Sequence, residues 1–153
     1  MLIKEIMTKK VITVKENDSL KSVLDKFSKY KISGMPVVDK NKHLKGMVTE
    51  ADVLKSVDVC LPKITFDTQS SFALILELVK NPDVDVLKKT KHCKKIKVKE
   101  FMQKKVITIR PDEKVIKAAE IMNKKNVKRL AVVENKKLVG IIARADIIRA
   151  LAS

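Results

Sequence analysis

Met7-Thr8-Lys9-Lys10-Val11-Ile12-Thr13-Val14 returns near the far end of the chain as Met102-Gln103-Lys104-Lys105-Val106-Ile107-Thr108-Ile109. The register holds well beyond this stretch. Asp18 faces Glu113, Phe27 faces Met122, Ile32 faces Val127, and Met35-Pro36-Val37-Val38-Asp39 faces Leu130-Ala131-Val132-Val133-Glu134. One residue then drops out in a turn, after which Leu44 to Asp52 faces Leu138 to Asp146, with Gly46 opposite Gly140 and Thr49 opposite Ala143. A deletion is tolerated best in such a surface connection, so an internal duplication organises the 153 residues.

Within each copy the apolar period changes in a fixed order. The β-branched runs Val11 to Val14 and Val106 to Ile109 predict strands. Asn17 or Asp18, and Asp112 after Pro111, are the expected N-caps of the helices that follow. Leu20, Val23, Leu24 and Phe27, like Val115, Ala118, Ala119 and Met122, recur at the spacing that puts one apolar stripe on a helix. Met35 to Asp39 with Leu44 to Thr49, and Leu130 to Glu134 with Leu138 to Ile142, read as hairpins around polar turns. A last helix is expected from about Thr49 with Val53, Leu54 and Val57, and from about Ala143 with Ile147, Ile148 and Leu151.

Each copy is thus β-α-β-β-α, and the fold class is α+β. A unit this short buries too little surface to stand alone, so the two are expected to pack about a pseudo-two-fold axis and share a core. The expected organisation is repeat one over 1–57, an inserted helical connector over 58–98, and repeat two over 99–153. In the connector, Ser70 or Ser71 would cap a helix from Phe72 to Lys80, and Val84 to Lys91 would form a second.

Lys plus Arg number 34 against 18 Asp plus Glu, a net charge of +16. Such a balance favours an anionic partner, although a lysine-rich surface is also what hyperthermophile proteins display. Only Arg110, Arg129, Arg144 and Arg149 are arginines. Nucleic-acid binding stays open on charge alone, strongest over 99–153, but aromatic residues make up only 3% and no base-stacking or groove-reading motif is present. Phe72 to Val79, interrupted by Glu77, is far too short to span a membrane, and the N-terminus lacks a signal peptide's apolar core. Cys60 and Cys93 are far apart and His92 has no companion ligands, so no metal site and two free thiols in a reducing cytoplasm are expected. No nucleophile elbow, phosphate-binding glycine loop or paired catalytic motif occurs, and no enzymatic activity is expected.

The Met-Thr-x-x-Val-Ile-Thr-Val opening, Met35-Pro36-Val37-Val38-Asp39 and Gly46-Met47-Val48-Thr49-Glu50-Ala51-Asp52 resemble a cystathionine β-synthase (CBS) domain, and the second copy resembles another. The pair is similar to the Bateman module of IMP dehydrogenases and of the γ subunit of AMP-activated kinase. That resemblance implies a regulatory, non-catalytic module binding AMP, ADP, ATP or S-adenosylmethionine in two clefts between the repeats. It also implies a homodimer formed through the helices and an unidentified effector protein.

In the family, each cleft combines the first and second strands of one repeat with the Thr-x-x-Asp of the other. Cleft one would then take Val106, Ile107, Thr108, Val127, Lys128, Arg129 and Leu130 with Thr49 and Asp52. An ionised aspartate suits two ribose hydroxyls, while Thr49, the helix-start amides and the Arg129 fork suit a phosphate. Cleft two would take Val11, Ile12, Thr13, Ile32, Ser33, Gly34 and Met35 with Asp146. There Ala143 replaces the threonine and Gly34 replaces the arginine, with Arg144 as a substitute cation, so the cleft is expected either to be empty or to prefer a less anionic ligand such as S-adenosylmethionine. Thr49-x-x-Asp52 is equally the pattern of a helix cap, yet Asp146 persists behind Ala143, whose side chain cannot cap. Gly46 and Gly140 are expected to permit close backbone approach.

Overall fold

The structure, a computed structural model, describes residues 1–60 and 94–153, apart from the side chains of 57–60. The helices expected over Phe72–Lys80 and Val84–Lys91, and His92 and Cys93, lie outside the described residues. Repeat one contains α1 (Ile3–Ile6), α2 (Leu20–Tyr30), β1 (Gly34–Val38), β2 (Leu44–Thr49) and α3 (Glu50–Cys60). Repeat two contains α4 (Val98–Phe101), β3 (Thr108–Ile109), α5 (Val115–Lys125), β4 (Arg129–Glu134), β5 (Lys137–Ala143) and α6 (Arg144–Ala152). The α+β class and the two-repeat architecture are as the sequence predicts.

The hairpins are antiparallel, Gly34 facing Thr49 and Arg129 facing Ala143, each with a register shift at the matching position, Val37/Val38 and Val132/Val133. The dropped residue lies in the hairpin turn. Asn135 and Lys136, both at positive φ, form a tight two-residue link between Glu134 and Lys137. The longer first turn is closed by Asp39, whose Oδ1 accepts from the backbone amides of Asn41 and His43.

Two local expectations are corrected. The run Val11–Val14 makes only a single parallel bridge, Val14 to Val37, and its counterpart pairs over Thr108–Ile109 alone. The N-caps are Ser19, whose hydroxyl accepts from the Ser22 amide, and Lys114, not Asn17, Asp18 or Asp112. Asp18 instead turns back to the Lys15 amide, and Asp112 is engaged in a two-point pair with Arg110.

The short helices α1 and α4, which the sequence reading passed over, are exchanged between repeats. Ile3 is fully buried among Leu130, Val132, Ile142 and Ile147 of repeat two. Val98 is fully buried among Leu20, Val23, Phe27 and Val53 of repeat one. Each chain segment then crosses as an added strand residue: Thr8 exchanges backbone bonds with Ile141, and Gln103 with Met47. Gly46 and Gly140 make this crossing possible. A Cβ at Gly46 would lie 2.7 Å from the Gln103 carbonyl oxygen, and one at Gly140 would lie 2.5 Å from Met7 Sδ. A third cluster, with Val38, Met47, Ala131 and Leu138, joins the hairpins face to face, and Leu138 donates its amide to the Lys42 carbonyl.

Because Ile3 fills repeat two, Ile3→Ala is expected to cost about 2–5 kcal/mol. Hydrogen exchange should locate the loss in Leu130, Val132 and Ile142 of the second repeat, whereas loosening confined to residues 8–38 would contradict the exchange of segments.

Candidate functional site

The crossing of α4 into repeat one brings the start of repeat two beside α3. Between them lies a cavity of about 350 Å³, lined by Thr49, Glu50 and Ala51 from repeat one and by Gln103, Lys105, Val106 and Ile107 from the crossing segment. The far wall is Asn126, Val127, Lys128 and Arg129, and Ser33 and Met47 complete it. Asn126 ends α5 in the left-handed conformation, which turns the chain directly into this wall.

Of the residues expected in cleft one, Thr49, Val106, Ile107, Val127, Lys128 and Arg129 line the cavity together. Three stand elsewhere. Leu130 is fully buried in the core of repeat two, because alternate residues of β4 face opposite ways. Thr108 borders a separate groove with Arg110, Asn135 and Lys136. Asp52 is only 6% exposed and sits behind the wall. Its Oδ2 accepts from the Thr49 amide at 2.8 Å and the Thr49 hydroxyl at 2.9 Å, and its Oδ1 from Gln103 Nε2 at 3.2 Å. The capping arrangement is therefore real, and the Gln103 amide extends it.

Arg129 reaches across the interface. Its Nη2 donates to Ser33 Oγ at 2.6 Å, and its guanidinium lies over Gly34, where a Cβ would come within 2.1 Å of Nη1. The glycine in repeat one and the arginine at the equivalent place in repeat two are thus complementary: one vacates the space that the other fills. Burial lowers the Arg129 pKa and the neighbouring Glu50 carboxylate opposes this. Arginine's very high intrinsic basicity keeps it cationic near neutral pH. With Lys105 and Lys128 it leaves the cavity positively charged despite Glu50.

The residues assigned to cleft two do not gather in the same way. Ser33 lines the first cavity, where its hydroxyl accepts from Arg129. Met35 is fully buried, and Ile12 and Ile32 pack against the same repeat-one core. Val11 and Thr13 border a small space of about 110 Å³ with Lys9, Lys42 and Leu138. Asp146 accepts from the Ala143 amide at 2.7 Å and pairs closely with Arg149. Arg144 donates to the carbonyls of Val127 and Met122, so its charge is committed to the end of α5.

Sequence reasoning missed Met47, Glu50, Ala51, Gln103, Lys105 and Asn126 in the first cavity. Gln103 and Lys105 lie inside the repeated motif, and extending the repeat back to Lys4-Glu5-Ile6-Met7 opposite Lys99-Glu100-Phe101-Met102 was the available signal. Among the described residues no group of His, Cys, Asp and Glu is placed to hold a metal ion, and no helix is long and apolar enough to cross a membrane.

The CBS domain profile matches residues 3–59 and 98–153. The chain belongs to the CBS domain family. The uncharacterized protein MJ1426 of Methanocaldococcus jannaschii is 38% identical over 160 residues, covering 99% of this chain and 91% of that one. Other relatives from that organism are longer: this chain spans 38% of one and 43% of another. Among solved structures, the CBS domain pair of protein MJ0100, in complex with 5′-methylthioadenosine and S-adenosyl-L-methionine, superposes with a TM-score of 0.70 at 26% identity, covering 99% and 96% of the two chains. CBSX2 of Arabidopsis thaliana in complex with AMP gives a TM-score of 0.72 at 23% identity, covering 99% and 96%. Both establish a tandem CBS pair as the fold.

The fit of Arg129 over Gly34 is directly testable. Gly34→Ala is expected to push the guanidinium off Ser33, at a stability cost of about 1 kcal/mol or less because one half-buried hydrogen bond is lost. Arginine-directed dicarbonyl labelling, read by mass spectrometry, should then modify Arg129 faster than in the parent protein; an unchanged rate would contradict the complementarity.

Proposed function

We propose that this CBS pair is a regulatory module that binds an adenosine-containing ligand in the cleft between the repeats and carries out no catalysis. The observation that carries this reading is the cavity itself. It places a threonine at a helix start, two exposed cations, a half-buried arginine and an apolar wall of Val106, Ile107 and Val127 around one space of nucleotide size. The adenosine-type ligands of the MJ0100 pair support the ligand class.

In this reading Asp52 accepts the ribose hydroxyls, and Ile107 and Val127 flank the base while backbone groups read its edge. Thr49, Arg129, Lys128 and Lys105 hold phosphate, which favours AMP, ADP or ATP in this cleft over S-adenosylmethionine. Position 143, an alanine, and the committed Arg144 leave the second cleft fewer phosphate partners, so that cleft is either empty or takes a less anionic ligand such as S-adenosylmethionine.

Calorimetric titration with AMP, ATP, adenosine and S-adenosylmethionine tests the ligand class. Asp52→Ala should abolish saturable binding in the first cleft. Arg129→Ala should weaken nucleotides by about one to two decades, the size of a charge-assisted hydrogen bond, and adenosine little. Equal weakening of AMP and adenosine would overturn the phosphate role, and no binding of any of the four would overturn the reading.

On α6, Ile147 is buried while Ile148 and Leu151 are 66% and 79% exposed. An apolar pair this exposed at one helix face is assigned to a homodimer contact, with ligand occupancy transmitted to an effector protein by population shift. Sedimentation should give a dimer that Ile148→Glu converts to monomer; a monomeric parent protein would end that assignment. The net charge of +16 keeps nucleic-acid binding as a second reading. Its signature is duplex affinity falling by orders of magnitude between low and moderate salt.

A further inference from the structure

We propose that Gln103 controls affinity for the ribose diol by occupying the acceptor that the diol requires; this rests on the assignment of Asp52 to the ribose. Thr49 and Gln103 line the cavity, whereas Asp52 does not. The carboxylate is buried behind them, with Oδ2 already taken by the amide and hydroxyl of Thr49. Oδ1 is the oxygen turned towards the cavity wall, and the Gln103 carboxamide is bonded to it. Because Gln103 and not Asp52 faces the cavity, a vicinal diol approaching Oδ1 meets the Gln103 carboxamide and competes with it for that oxygen.

The rest of Gln103 is built to let this happen. Its backbone is fixed by two bonds to Met47, at 2.8 and 2.9 Å, and neither involves the side chain. The residue is exposed, so the carboxamide can swing into solvent and find water as its new partner. Backbone and side chain are therefore decoupled: the strand stays while the amide leaves. At the equivalent position of the first repeat stands Thr8, whose backbone makes the same pair of bonds to Ile141. Its short side chain does not take up this role, and Asp146 is covered by Arg149 instead. The two aspartates are thus screened by different groups, a neutral amide in one repeat and a cation in the other. A ligand hydroxyl displaces a neutral amide from a carboxylate more readily than it displaces a guanidinium, because the charge-assisted bond is the stronger of the two. The first cleft is accordingly the one whose aspartate yields more readily to a diol.

The test is calorimetric titration of the full chain with AMP and with 2′,3′-dideoxy-AMP, using the parent protein, Gln103→Thr and Gln103→Ala. Thr occupies this place in the other repeat, and thermal melts confirm that both variants fold. Both variants are expected to bind AMP roughly threefold to tenfold more tightly than the parent, with the dideoxy analogue changed by less than about twofold, since one competing hydrogen bond is removed. Binding of AMP by the variants alone supports the proposal in stronger form. Unchanged or weaker AMP binding by both variants overturns it while leaving the ribose assignment standing, and so does equal tightening of both ligands, which would make Gln103 a mere obstruction. Failure of all three proteins to bind AMP overturns the ribose assignment and the proposal with it.

Discussion

The structure depends on a reciprocal burial: Ile3 at the start of the first repeat completes the core of the second, and Val98 at the start of the second completes the core of the first. Neither core is closed without the other chain segment. This gives a physical reason for a pair rather than a single copy, since a repeat of this size buries too little apolar surface alone. It also locks the geometry. Once α1 and α4 have crossed, the residues that follow them must run along the edge of the opposite hairpin, and Gly46 and Gly140 leave the room for them to do so.

The cleft follows from that crossing. The segment after α4 passes α3 and places Gln103, Lys105, Val106 and Ile107 opposite Thr49 and Glu50, so the site is assembled from parts that are remote in sequence. Pseudo-symmetry would build a second copy, but the chain has diverged at the positions that matter. Gly34 stands where Arg129 stands, Ala143 where Thr49 stands, and Arg144 where Glu50 stands. Arg129 uses the space over Gly34, so a departure in one half became a structural resource for the other.

Much of this was legible in the sequence because the duplication reports itself. Helix stripes such as Leu20, Val23, Leu24 and Phe27, and the two hairpins, follow from local period, and each is stated twice. The shared wall of Val106, Ile107, Val127, Lys128 and Arg129 followed once the family pattern was laid on the repeat. What was not legible depends on contacts between distant segments. The burial of Ile3 in the opposite repeat has no local signature, since a four-residue helix carries no period. The placement of Ser33 is decided by the reach of Arg129 over a missing Cβ, and the retreat of Asp52 behind Gln103 by one amide hydrogen bond. N-caps were misread for a related reason: Asp18 and Asp112 are good caps in isolation, but nearer partners at Lys15 and Arg110 claim them first.

One cleft, built from the crossed segments, is proposed to receive the ligand. Hydrogen–deuterium exchange of the full chain with and without saturating AMP decides whether it does. Protection is expected to appear together at Thr49–Asp52, Gln103–Ile107 and Val127–Arg129, three stretches far apart in sequence and joined only by the crossing. Protection centred on Val11–Thr13 and Asp146 instead, or confined to one of the three stretches, would contradict it.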